Sequence, residues 1–372
     1  MKKATVALVR CESYDEPVVE RAVREAVGML PEFGNSLPQG SSVLLKVNLT
    51  QIEPLETAVT THPAVVKAVS DLFKDRGHRV AIGEGSGHSG WQLWRRLRRL
   101  LFERLKDSMA GRKYEELAGF YSYLMGIKSY TQALTTDIAG FRAPVVRREE
   151  LGIETEIDFF GESGILDAAR KSGAELAYFD LEETVTLRSP THRFLEDVPV
   201  SRSVAEAGLV VSVAKFKTHA DMVLTGAIKN FFGIIPTPLR HTYHSTSKLA
   251  EMMGEMLVDV YSVVSPPPLV VCDAVMGMEG EGPLEGPPRR MGLIMASSDC
   301  VAHDAVMAAL VGLDPMDVPV VRVAHEAGLG QGLLENIEVR GVPINEVRQA
   351  DWDLGPNAGL RTRTKASAAA RP

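Results

Sequence analysis

The chain predicts an α/β fold: two-lobed, with mainly parallel sheets flanked by helices in three layers, and an α-helical insertion. Three observations carry that reading. Apolar, β-branched runs at Thr5–Val9, Val43–Val47 and Val80–Gly83 alternate with helical stretches at Pro17–Leu30 and Ala64–Arg76, the β-α-β-α-β order of a parallel sheet. The rhythm breaks between 91 and 147 and then resumes. The run Leu209-Val210-Val211-Ser212-Val213-Ala214 is almost wholly apolar, as a strand covered on both faces must be. These breaks divide the chain into an N-terminal α/β lobe (1–90), a helical insertion or lid (91–147), a C-terminal α/β lobe (148–345) and a tail (361–372).

Each element has its own signal. Thr60-Thr61-His62-Pro63 opens the second helix with a threonine cap and a first-turn proline, and Gly77 closes it. Val65, Val66, Val69, Leu72 and Phe73 share one stripe. The third strand runs into Gly83-Glu84-Gly85-Ser86-Gly87-His88-Ser89-Gly90, a loop whose backbone amides can approach an anion but whose spacing departs from the dinucleotide fingerprint. Trp91 to Leu101 reads as a basic amphipathic helix. The second lobe continues with a helix at Glu162–Ser172, a strand at Ala174–Asp180, an edge strand and connection at Val185–Arg202, and the central strand from Leu209. A long helix follows at Ser247–Val264, ended by Pro266-Pro267-Pro268. Strands at Leu269–Asp273 and Gly292–Ala296 flank the Gly-rich acidic loop Ala274–Pro283. Helices at Val301–Val311, with Asp299 as cap, and Pro319–Ala327 precede a last strand at Ile337–Val339.

Composition narrows the function. With 372 residues, 45% hydrophobic and 24% charged, the chain can build a large core. A formal net charge of -7 argues against nucleic-acid binding, which needs a broad basic face. No run of eighteen apolar residues suggests a transmembrane segment, and the N-terminus reads as a strand rather than a signal peptide, so a cytoplasmic location is expected. The three cysteines, Cys11, Cys272 and Cys300, are far apart and lack any C-x-x-C. A disulfide framework and an intrinsic cysteine-only iron–sulfur cluster are therefore not expected.

Chemistry concentrates where the central strand ends. Lys215, Lys217, Thr218 and His219, then Lys229 and Asn230, then Arg240, His241 and His244 crowd the segment 209–244. Ligands of open α/β sheets bind beyond the carboxyl ends of the strands, and local cations in an acidic chain point to a small anionic metabolite. Lys229, beside Ile228, Phe231 and Phe232, is the first candidate: a desolvated lysine has a lowered pKa and serves as base, clamp or tether. His219 suits acid/base work, and His62 sits at a helix start that favours anions. Lys46 and Asn48, ending a strand of the first lobe, complete the anion cradle with Lys215, Lys217, Thr218, Asn230, Arg240 and His244. Lys215 and Lys217 flank Phe216 and so face the same side. A divalent metal is a possible cofactor. Asp273 and Glu279 offer oxygens, and His241 and His244 lie three apart. Asp304 is placed to orient a lysine or histidine, and a homodimer is a possible assembly.

Taken together these residues resemble the DUF362 family, named as a domain of unknown function. The resemblance rests on Lys46-Val47-Asn48, Thr61-His62-Pro63, Gly83-Glu84-Gly85, Lys215-Phe216-Lys217-Thr218-His219, Gly226-Ala227-Ile228-Lys229-Asn230-Phe231-Phe232-Gly233, Asp273-Ala274-Val275 and Met278–Pro283. Asp299, Asp304 and Gly328-Leu329-Gly330 continue it. Two features depart from the family pattern: Val47 stands where proline is usual, and the ferredoxin-like cysteine cluster of many members is missing. The order His219, Gly226, Lys229, Pro236, His244 also resembles the lactate racemase family, in which the lysine tethers a nicotinate-derived cofactor and histidines act as ligands or as acid and base. That likeness implies an isomerase or racemase working by Lys/His proton transfer. Two alternatives stay open: a redox enzyme, or a cofactor or metal carrier that borrows an external iron–sulfur protein.

Overall fold

Successive side chains of a strand point to opposite faces, and here both faces lead into apolar cores. On one face lie Val43, Leu45 and Val47 with Val211 and Val213; on the other, Leu44 with Val210, Ala214 and Phe216. A sheet buried on both faces needs a helical layer on each side, which accounts for the near-continuous apolar runs of the sequence. The computed structural model describes residues 3–31, 37–85, 159–246, 249–265 and 268–361. The expected helical insertion at 91–147, the glycine loop beyond Gly85 and the tail from 362 lie outside the described residues.

A single mixed sheet of nine strands forms the middle layer. In chain order these are β1 (Ala4–Arg10), β2 (Ser42–Val47), β3 (Arg79–Glu84), β4 (Glu175–Tyr178), β7 (Leu209–His219), β8 (Val223–Thr225), β9 (Leu269–Met278), β10 (Pro288–Ser297) and β11 (Ile337–Gly341). Their spatial order is β11-β1-β10-β9-β7-β2-β3-β4, with β8 paired to β7. The strands β9, β7, β2, β3 and β4 run parallel; β10 is antiparallel to both β9 and β1. A separate antiparallel pair, β5 (Thr184–Arg188) and β6 (Asp197–Ser201), forms the edge element. Strands from both expected lobes therefore interleave in one sheet: β2 lies beside β7, and β1 lies between β10 and β11.

One helical layer contains α1 (Glu16–Gly28), α2 (Pro63–Lys74) and α3 (Ile165–Ser172), which bury Val19, Val23, Val65, Val69 and Ile165 in the same core as Val43 and Val211. The other contains α4 (Ala227–Asn230), α5 (Thr237–Thr246), α6 (Ala250–Ser262), α7 (Cys300–Leu310) and α8 (Pro319–Glu326), with Ile228, Leu257, Val306 and Val321 in the opposite core. The cap of α2 is His62 rather than a threonine: its Nδ1 accepts from the Ala64 amide at 3.1 Å. Thr61 is occupied elsewhere, donating to the Val213 carbonyl at 2.8 Å. Asp299 caps α7 as its position predicts, accepting from Ala302 at 2.9 Å. β9 runs past Asp273 to Met278, taking up half of the expected acidic loop, because its outer residues find a partner in β10. No helix among the described residues is long and apolar enough to cross a membrane.

Candidate functional site

The carboxyl ends of β2, β3 and β7 open onto a cavity of about 400 Å³. β2 contributes Lys46 and, just beyond its end, Asn48; β3 contributes Glu84; β7 contributes His219. The short α4 brings Lys229 and Asn230, and α5 brings Arg240 and His244. Leu49, Phe232, Pro283 and Leu284 supply apolar wall.

The floor is a closed polar network. Lys46 is buried and donates to Glu84 at 2.5 Å, to the Val47 carbonyl at 2.5 Å and to Asn230 Oδ1 at 3.2 Å. Burial pushes the Lys46 amine down and the Glu84 carboxyl up, with their mutual attraction opposing both shifts. Glu84 also accepts from Gly85 N at 2.9 Å and Leu49 N at 3.3 Å, and Arg240 approaches it at 4.0 Å. Asn230 donates to the Lys46 carbonyl at 2.9 Å and Ser212 at 3.0 Å, which fixes its Oδ1 as the atom facing Lys46 and Asn48. Asn48 donates to that oxygen at 3.4 Å. Gly233 closes the network sterically: a Cβ there would stand 2.4 Å from Glu84 and 2.6 Å from Lys46.

Lys229 contrasts with this floor. Its Nζ makes no hydrogen bond to any described residue and lies 5.3 Å from the centre of the Phe232 ring. Burial, joined by the charges of Arg240 and Lys46, pushes its pKa down to about 8, against the pull of Asp221. The same cause, with Lys229 and Lys217 nearby, holds His219 well below the ordinary histidine range. The His219 Nδ1 accepts from the amides of Asp221 at 3.1 Å and Met222 at 3.3 Å, so its other nitrogen carries the proton when the ring is neutral. His244 is also lowered, by burial and by Lys229, and stands 3.7 Å from Asp221 at the cavity edge. The orientation of α4 comes from outside it. Asp304 on α7 accepts from the amides of Ala227 at 2.7 Å and Ile228 at 3.1 Å, and contacts His303 at 2.8 Å. A Cβ on Gly226 would meet that carboxylate at 2.2 Å.

The remaining candidates gather elsewhere. Lys215 reaches Asp273 at 2.8 Å and the Tyr14 hydroxyl at 3.0 Å; Tyr14 donates to Asp273 at 2.9 Å. His62 stacks on Tyr14, rings 3.7 Å apart, while its amide donates to Asp273 at 2.9 Å. His62, Lys215 and Asp273 thus form their own cluster and do not line the cavity. Burial lowers His62 to about 4. Lys217 turns toward the back of the cavity wall, donating to the Val59 carbonyl at 2.8 Å, Pro283 at 3.3 Å and Thr50 at 3.4 Å. The β7–β9 register shifts between Lys215 and Lys217, and the two lysines share no hydrogen-bond partner. Thr218 faces the Met278 carbonyl at 3.4 Å. Glu279 is held by Arg289 at 2.9 Å and the Asp353 amide at 2.8 Å. The side chain of His241 lies outside the described residues. Among those described, no three His, Cys, Asp or Glu side chains converge in a metal-holding group.

Glu84 and Tyr14 are absent from the sequence-derived candidates. For Glu84 a signal existed: an acid ending a buried parallel strand must find a cation, and Lys46 ends a neighbouring one. Tyr14 precedes α1 in an ordinary loop, with no pattern that marks it.

Comparison with known proteins gives three findings. The model of the family described as "Domain of unknown function (DUF362)" matches residues 43–118 and 132–309. The thylakoid-associated protein sll1697 of Synechocystis sp. is 26% identical over 326 residues, covering 87% of this chain and 80% of that protein. A crystal structure of a protein from Thermotoga maritima aligns with a TM-score of 0.35 and 12% identity, over 78% of this chain. This chain spans 57% of the length of that protein.

Proposed function

Because this chain belongs to the DUF362 family, we propose that its cavity is the active site of an enzyme that moves a proton on a small anionic substrate, a carboxylate or a phosphorylated metabolite. One observation carries the reading: Lys229 is cationic at neutral pH, lies close to its own pKa, and is hydrogen-bonded to no described residue. A group poised in this way both attracts an anion and exchanges a proton. His219, neutral and fixed through Nδ1, is the partner acid or base. Arg240 is the anion clamp, and the Lys46–Glu84–Asn230 floor holds the walls in register. Isomerisation or racemisation is the reaction class that needs only these groups. A cytoplasmic location belongs to the same reading; cell fractionation tests it against the thylakoid association stated in the name of the Synechocystis relative.

The test is to incubate the protein in D₂O with a panel of small carboxylates and phosphate esters and follow carbon-bound protons by NMR. Exchange that disappears in Lys229→Met and in His219→Gln supports the enzyme. Anion binding without any exchange supports a non-catalytic carrier instead.

A further inference from the structure

The protonation state of His219 is fixed by the turn it belongs to. β7 and β8 form a hairpin in which His219 pairs with Val223, and the His219 Nδ1 accepts the amides of Asp221 and Met222 inside the three-residue turn. The turn is held from outside as well. Asn357 donates to the His219 carbonyl at 3.1 Å and to the Ala220 carbonyl at 2.9 Å, and the Ala220 amide donates to Gly282 at 2.9 Å. Val223 follows with φ +68°, in the left-handed region that a β-branched residue enters only under constraint. Across it the Leu224 amide donates to the Met222 carbonyl at 2.7 Å, the hydrogen bond of a γ-turn. A proton on Nδ1 would face two amide N–H groups and leave both unpaired, at a residue 5% exposed. The Nε2–H form is therefore locked, and in that form Nε2 has no lone pair with which to take a proton. Nε2 has no hydrogen-bond partner among the described residues, and His219 lines the cavity together with Lys229, whose charge it feels.

We infer that His219 moves no proton: its Nε2–H is a fixed donor to a carbonyl or carboxylate oxygen of the substrate, and the proton of the neighbouring carbon goes to Lys229. This rests on the proton-transfer reading above and narrows the part of His219 in it from acid or base to hydrogen-bond donor. It also names the substrate class, a compound with a carbonyl group beside the reacting C–H bond, whether its anionic group is a carboxylate or a phosphate. In the step the C–H bond breaks, the proton passes to the neutral amine form of Lys229, and the electron pair moves onto the carbonyl oxygen. The enolate oxygen so formed accepts a stronger hydrogen bond than the carbonyl did, so a donor held in place acts where charge develops. The neutral imidazole keeps its Nε2 proton throughout, and the second half of the reaction finds the same donor in place.

Histidine-selective ¹⁵N NMR of the full chain, with His219→Asn to assign the signal, tests the inference together with calorimetry. Pyruvate and glycolaldehyde phosphate, small carbonyl compounds with each kind of anionic group, are the probes, and the tighter of the two is used throughout. The ring should be in the neutral Nε2–H form from about pH 5.5 to 8.5, and saturation with the probe should shift its Nε2 signal. Asparagine keeps an acceptor for the turn amides but offers nothing at the place of Nε2. His219→Asn should therefore fold with an unfolding midpoint close to that of the wild type, yet bind the probe about tenfold or more weakly. A protonated Nδ1 in that pH range, free or with probe bound, overturns the inference and leaves His219 the acid or base of the reading above. Unchanged affinity in folded His219→Asn also overturns it, because the ring would then only cap its turn. An Nε2 signal unmoved by a saturating probe does the same in the wild-type chain alone. No binding of either probe overturns the anionic-substrate reading and the inference together.

Discussion

Lys229 holds its proton at pH 7 by about one pH unit, and two predictions follow from the sign of that shift. The protonated form carries the attraction, so anion affinity should be constant below about pH 8. Above that it should fall by up to tenfold per pH unit, until the raised pKa of the complex is reached. Calorimetry across pH 6.5–9.5 checks this, and Lys229→Met should remove the step. The native-state pKa lies below the unfolded one, so the unfolded chain binds more protons between about pH 8 and 10.5. Native stability therefore rises with pH across that window. At pH 7 the lysine is a burden, and Lys229→Met should raise unfolding free energy by about 1–3 kcal/mol, discounted for its partial exposure. Glu84→Gln should act oppositely. It leaves the buried Lys46 without a counter-charge and should cost about 3–5 kcal/mol in urea denaturation; pairing it with Lys46→Met should recover much of the loss. These residues were unequally legible in the sequence. Lys46, His219 and Lys229 are visible as polar groups at the ends of apolar runs. The common fate expected of Lys215 and Lys217 was not realised, since alternation fixes the side of a strand but is blind to the register shift between them.

At the scale of elements, the four-residue α4 is too short to be stable alone and owes its place to a carboxylate 77 positions later in the chain. Asp304 satisfies two of its free amides, and Gly226 is the residue that lets the carboxylate approach. Asp304→Ala should therefore cost about 2–4 kcal/mol by leaving buried amides unpaired, measured by chemical denaturation, and should weaken anion binding without touching a lining residue. Element positions were well marked in the sequence: the starts of β1, β2 and β3 and the stripe of α2 agree with the structure to within a residue or two. Element ends were not. β7 runs to His219 and β9 to Met278 because strands continue while neighbours accept their hydrogen bonds, and neighbours are not a local property. The same limit hid Asp304's target: a cap supplied from another helix has no spacing to read.

For the whole molecule, the layers were legible and the strand order was not. Apolar runs without alternation announce a sheet covered on both faces, but nothing in 1–90 reveals that β1 is seated with β10 and β11 while β2 is seated with β7. A fragment of residues 1–90 should accordingly remain unfolded by circular dichroism and NMR, since its three strands do not form one contiguous set; a cooperative fold in that fragment would contradict this account. The placement of β1 also bears on how the protein is made. Its partners begin at residue 288 and residue 337, against residue 10 for its own end. At about 5–20 residues per second on the ribosome, the apolar strand waits roughly 15–60 s for its nearest neighbour to emerge. Slower translation lengthens the interval in which β1 is exposed without a partner, so the yield of folded protein should fall as elongation is slowed, measured as the soluble fraction in a cell-free system.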